Sequence, residues 1–177
     1  MAMGMGISGA KLRAGGAERE WLRSLVEAVA SAFPKARTVP WALNSRLSRA
    51  AGRCVKGRAQ ADPRTVVLPA KYPSAPGDPC LIEINEDYLC RCYRREALGQ
   101  SLPGLAAPGG LMSTLVHEAA HLLHFNHGPF FRMAEGDIGR AVRELLASPA
   151  APEALAVARA ARAKKPAAPR QGELGLL

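Results

Sequence analysis

All four histidines of this 177-residue chain fall within eleven residues, in the string HEAAHLLHFNHGPFF at 117–131. At about 100° per residue, His117 and His121 share one helical face. Leu111, Met112, Leu115, Val116, Ala119, Leu122 and Leu123 fill an arc on the other side. The spacing predicts a helix beginning near Leu111 with a core face and a metal face. Two imidazoles four residues apart are offset by about 6 Å along the axis, so they can converge on one Zn²⁺ with the adjacent Glu118 placed as general base. His124 lies on the same face but about 10 Å along the axis from His117, too far for easy sharing of one ion. His127 becomes useful only if the chain turns back. Asn126 tolerates the left-handed region, Gly128 tolerates any conformation, and Pro129 cannot continue a helix but can start one. That favours His127 as third ligand, with Glu135 and His124 as competitors.

The remaining pattern is mixed. From Ala17 to Phe33, apolar residues recur at intervals of three and four until Pro34 stops them, which predicts an amphipathic helix. Val39, Trp41 and Leu43 alternate with less apolar neighbours, and Gly52 and Gly57 punctuate the segment after them. This reads as a strand, a turn and a returning strand. Residues 65–68 extend the sheet, 73–79 form a loop, 81–85 read as a further strand, and Glu86–Leu98 as a short helix. The fold class expected is α+β, with one domain over 17–147. Residues 1–16 read as a disordered leader, and 148–177 as a basic Ala/Pro-rich tail.

Charge separates one segment from the rest. The chain carries +9 overall, and Lys35 to Lys71 holds nine cations against one acid, Asp62, so that segment alone accounts for +8. A solvated basic loop is one reading. A nucleic-acid surface is the other, with Arg46, Arg49, Arg53, Lys56 and Arg58 as candidate phosphate contacts. Trp41 is either a stacking platform for an unpaired base or a core residue. No long uncharged apolar stretch suits a membrane span, and no secretory signal pattern opens the chain, so a cytoplasmic, nucleoid-associated protein is expected. Cys54, Cys80, Cys90 and Cys92 are then expected as reduced thiols, with a structural zinc site as the alternative.

Three segments together carry a resemblance. WALNSRLSRAAGRC (41–54), IEINEDYL (82–89) and TLVHEAAHLLHFNHGPFF (114–131) resemble the SprT-like, or Spartan-type, zinc metallopeptidases over roughly residues 20–135. The His-Gly-Pro-x-Phe element at 127–131 is the specific part. The gap between the second and third histidines is shorter than is usual there, and equals that of metzincins and of YgjP-like bacterial zincins. Metzincins need Gly where His124 stands, and YgjP-like proteins favour Ser where Gly128 stands, so the YgjP-like family ranks second. The resemblance implies a zincin-like domain with a small sheet beside the active helix, and cleavage of proteins attached to single-stranded or junction-containing DNA, as in DNA–protein crosslink repair. A non-proteolytic DNA-binding adaptor is the alternative from another class. The C-terminal QGELGLL is similar to bacterial sliding-clamp-binding peptides, with Gln171, Leu174, Leu176 and Leu177 at the matching positions. That similarity implies a clamp as a further partner.

Overall fold

The computed structural model of the chain describes residues 12–72, 77–100 and 110–148. Helix α1 spans Gly16–Ala32 and buries Leu22, Leu25, Val26 and Val29, after which Pro34 opens a single 3₁₀ turn to Arg37. Strands β1 (Trp41–Asn44), β2 (Gly52–Lys56), β3 (Val66–Leu68) and β4 (Pro79–Asn85) form one sheet. Helix α2 (Glu86–Cys92) runs on through a wider π turn, Tyr93–Ala97. Helices α3 (Gly110–Ala120) and α4 (Pro129–Ala147) complete the fold. The class is mixed α+β. Among the described residues, no helix is long and apolar enough to cross a membrane.

The sheet corrects one expectation. β1 and β2 do not form a hairpin: the strand order is β2-β4-β1-β3, with β4 parallel to β1 and antiparallel to β2. Burial explains the placement. β4 contributes Cys80, Leu81, Ile82 and Ile84 to the interior, as a central strand must, whereas Arg53 and Lys56 of β2 are exposed, as suits an edge. Gly52 is therefore a strand residue opposite Ile84 and not a turn residue; the turn belongs to Gly57, at φ +96°.

A second correction concerns the leader. The Leu12 backbone N–H bonds to Asp87, and the Ala14 N–H and the Arg13 guanidinium bond to Glu86. Residues 12–15 are thus docked on the first turn of α2, where the helix dipole favours the two carboxylates. Residues 1–11 lie outside the described residues.

One core joins α1, the inner face of the sheet, α3 and α4, with Trp41, Ile82, Ile84, Leu111, Leu115, Phe131 and Ile138 all inside it. α3 packs against α1, α4 and β2, so the histidine helix is held between the helical layer and the edge strand. Leu111, Leu115, Val116, Ala119 and Leu122 are buried as the wheel predicts. Leu122 and Leu123 both follow the end of α3 at Ala120, in a tighter turn, and there Leu123 departs from the wheel, 43% exposed.

Candidate metal centre

Local chemistry ends α3 and turns the chain back. After Ala120 the last turn tightens into 3₁₀ bonds, with the N–H groups of Leu122 and Leu123 donating to Ala119 and Ala120. α4 then starts with Pro129 at its first position and Gly128 as N-cap. The reversal uses no left-handed residue. Gly128 has φ −83°, and no described residue other than glycine has positive φ. Asn126 and Gly128 therefore do not supply the conformations expected of them, although the reversal does occur.

The result brings His117, His121 and His127 together. Their ligand nitrogens all lie within 4.8 Å of one another, and among the described residues this is the group of His, Cys, Asp and Glu side chains that could hold a metal ion. The Nε2 atoms of His117 and His127 are 3.1 Å apart. With metal–nitrogen bonds of about 2.0–2.1 Å, neighbouring ligands on a tetrahedral zinc are about 3.4 Å apart, so the cluster needs an adjustment of about 1 Å to close.

The neighbours fix which nitrogen each ring offers. His117 Nδ1–H donates to Glu135 Oε1 at 2.9 Å, and His121 Nδ1–H donates to the carbonyl oxygen of His124 at 3.3 Å. Both rings thereby keep the Nε2 lone pair for the centre, the arrangement that orients metal-ligating histidines. Glu135 and His124, weighed as competing ligands, are instead the groups that orient His117 and His121. Burial, with the charges of His117 and His127, pushes the His121 pKa down, which also favours the neutral ring. Phe131, 2% exposed, lies under all three imidazoles with ring centroids 4.6–4.9 Å away. This is a physical reason for the Phe that closes the His-Gly-Pro-x-Phe element.

Glu118 is buried beside the cluster, 5% exposed. Burial pushes its pKa from 4.5 up to about 7, while His117 and the backbone N–H of Cys54 act in the opposite direction. Its Oε2 is buried without a hydrogen-bond partner. Gly52 makes the room: a Cβ there would lie 2.9 Å from Glu118 Cγ and 3.2 Å from the Glu83 carbonyl oxygen. Gly52 and the Cys54 N–H are contributions that the sequence pattern did not single out as site features. Their signal is the Ala-Gly-x-Cys string on the edge strand.

The candidate nucleic-acid residues divide. Arg46, Arg49 and Arg58 are exposed. Arg53 is committed to Glu83, whose other oxygen accepts from Asn44. Lys56 sits 4.0 Å from the centre of the Phe125 ring. Trp41 is a correction: it is fully buried, and its Nε1–H donates to the Ala36 carbonyl, so it has no face to offer a base. The four cysteines are buried and unpaired, and burial pushes Cys54 to about 12 and Cys90 and Cys92 to about 11. Gln171, Leu174, Leu176 and Leu177 lie outside the described residues.

The arrangement defines a mixed α+β protein with a three-histidine group able to hold a metal ion. Compared with protein families, curated proteins and solved structures, the chain has no match.

Proposed function

We propose that the protein is a zinc-dependent endopeptidase of the zincin type, acting on proteins associated with DNA. The observation that carries this reading is the conjunction of three convergent imidazoles with a buried, half-satisfied carboxylate one residue from the first of them. The donor set suits Zn²⁺: three neutral nitrogen ligands, with hydrogen-bonded partners on two of them, match a catalytic site that keeps a position open. When bound there, zinc supplies a Lewis acid that activates water near neutral pH and stabilises negative charge developing on a carbonyl oxygen.

The chain's own groups do the rest. The buried Glu118 carboxyl has its pKa raised towards neutrality, so its ionised form can accept a proton from the attacking water and its neutral form can return that proton to the leaving amine. Glu135 holds His117 in place, and Phe131 keeps the underside of the three rings dry. His127 is exposed, which leaves the centre open to a polypeptide from the solvent side. The DNA part of the reading is supported by Arg46 and Arg49, exposed cations in the β1–β2 connection, and by Arg58, exposed just after β2, all free to contact phosphates. β2 itself reaches the centre through Gly52 and Cys54, so nucleic acid on those arginines would present its bound protein close to Glu118.

The test combines metal content with cleavage. About one zinc per chain is expected. Incubation with a basic DNA-binding protein is expected to yield fragments, more of them when single-stranded DNA is added. Glu118→Gln is expected to keep the metal and lose cleavage. Cleavage retained in that variant refutes the assignment of Glu118. Metal and DNA binding with no cleavage by the parent protein leaves the adaptor reading in its place.

A further inference from the structure

A cleft of about 680 Å³ adjoins the metal centre through His121, which stands in its wall. Its charge is one-sided. Lys35, Lys56 and Lys71 line it, against the single acid Asp78. These are the three lysines among the described residues, and they come from three separate parts of the chain: the 3₁₀ turn after α1, the end of β2, and the segment after β3. Nine described arginines pair with a carboxylate, and none of the three lysines does. Lys56 is instead held over the face of Phe125, which fixes the ammonium at the cleft while leaving it free for an anion. The remaining wall mixes apolar side chains, Val39, Leu122 and Phe125 among them, with the hydroxyl-bearing Thr38 and Tyr72.

We infer that this cleft is a subsite for a carboxylate of the polypeptide substrate, within a few residues of the bond presented to the metal centre. The inference rests on the peptidase reading and adds to it a substrate preference. Volume and lining fit a short stretch of peptide: the space is in the range of small-ligand sites, and a mixture of apolar wall and a few cations suits an acidic side chain or a free C-terminus. Nucleic acid is the less suitable occupant. None of Arg46, Arg49, Arg53 and Arg58 lines the cleft, so the exposed arginines on and around β2 are separate from the lysines beside His121.

The experiment measures binding, so it does not depend on turnover. Fluorescently labelled decapeptides carrying Glu, Ala or Lys at single positions, each with a free or an amidated C-terminus, are titrated into zinc-loaded protein bearing Glu118→Gln. The same titration is run with Lys35→Glu and Lys71→Glu added, after circular dichroism and zinc content show that the variant is folded and loaded. We expect Glu at one position to bind about tenfold more tightly than Lys there, the scale of a few partly exposed charge contacts. The charge-reversed protein should show the opposite order. If the Glu and Lys peptides bind alike and amidation weakens both about tenfold, the C-terminus is the carboxylate recognised; if Glu is preferred whether or not the end is amidated, the side chain is. Equal binding of the Glu and Lys peptides at every position together with no loss on amidation, or a preference unchanged by the reversal, overturns the inference. So does a single-stranded oligonucleotide that displaces the acidic peptide and loses its own binding in the charge-reversed protein. Parent protein that cleaves all peptides alike keeps the peptidase reading and loses this one; a clear binding preference with no cleavage by the parent protein does the reverse.

Discussion

Replacing Glu118 by Gln removes a charge whose burial the structure opposes, and the consequence is a stability change that depends on pH. In the folded, metal-free protein the carboxyl pKa stands at about 7 against 4.5 in an exposed carboxyl. The folded state therefore binds this proton more tightly than the unfolded chain. The resulting stability is fully present below 4.5 and is lost as pH rises through 7. A rise of about 2.5 pKa units corresponds to about 3 kcal/mol, at 1.36 kcal/mol per unit. Because Glu118 is 5% exposed, solvent screening reduces this figure little. The Gln variant titrates no group there, so its unfolding free energy should gain on the parent's by about 3 kcal/mol between pH 4.5 and 7.5. Any fixed cost of burying the amide appears equally at every pH and drops out. His121, whose lowered pKa gives stability that is lost as pH falls, is present in both proteins and largely cancels. Urea unfolding of the metal-stripped pair at several pH values, followed by fluorescence of the buried Trp41, measures the difference. Zinc should shrink the effect, because a dication near the carboxylate offsets the burial. A difference that stays flat within roughly 0.5 kcal/mol across that range refutes the burial argument.

Four other outcomes are expected. Glu135→Gln should weaken zinc affinity by about 10- to 100-fold, measured by competition with a chelator, because His117 loses the carboxylate that orients it. Gly52→Ala should displace Glu118, since its Cβ would lie 2.9 Å from Glu118 Cγ and β2 is pinned by its pairing with β4; cleavage should fall while zinc content is kept. Charge reversal at Arg46, Arg49 and Arg58 should flatten the salt dependence of DNA binding by about one unit of slope for each phosphate no longer engaged, and Arg53→Ala should change it less, because that guanidinium is already held by Glu83. Trp41→Ala should destabilise the fold by about 3–5 kcal/mol in urea unfolding, as a core truncation, and leave DNA binding per folded molecule unchanged.

The range of the interactions involved decides how much of the molecule is legible in its sequence. The sequence by itself determined α1 and α3, the reversal after His121 and the start of α4, because helical periodicity and the conformational limits of proline act within a few residues. Local spacing therefore sufficed to name His117, His121 and His127 as one group. The tertiary structure alone decided the rest. β4 inserts between β1 and β2 because burial on both faces outweighs the adjacency of strands in the chain, and no local pattern records that competition. Glu135 meets His117 across eighteen residues, and Gly52 and the Cys54 N–H reach Glu118 from a strand far away in sequence. Trp41 was ambiguous for the same reason: an aromatic residue in a basic segment reads as exposed or buried until the packing above it is known, and here the core closes over it. Lys35, Lys56 and Lys71 look in sequence like scattered members of one basic stretch. Only the folding of three separate segments against His121 gathers them into a single cleft and leaves the arginines outside it.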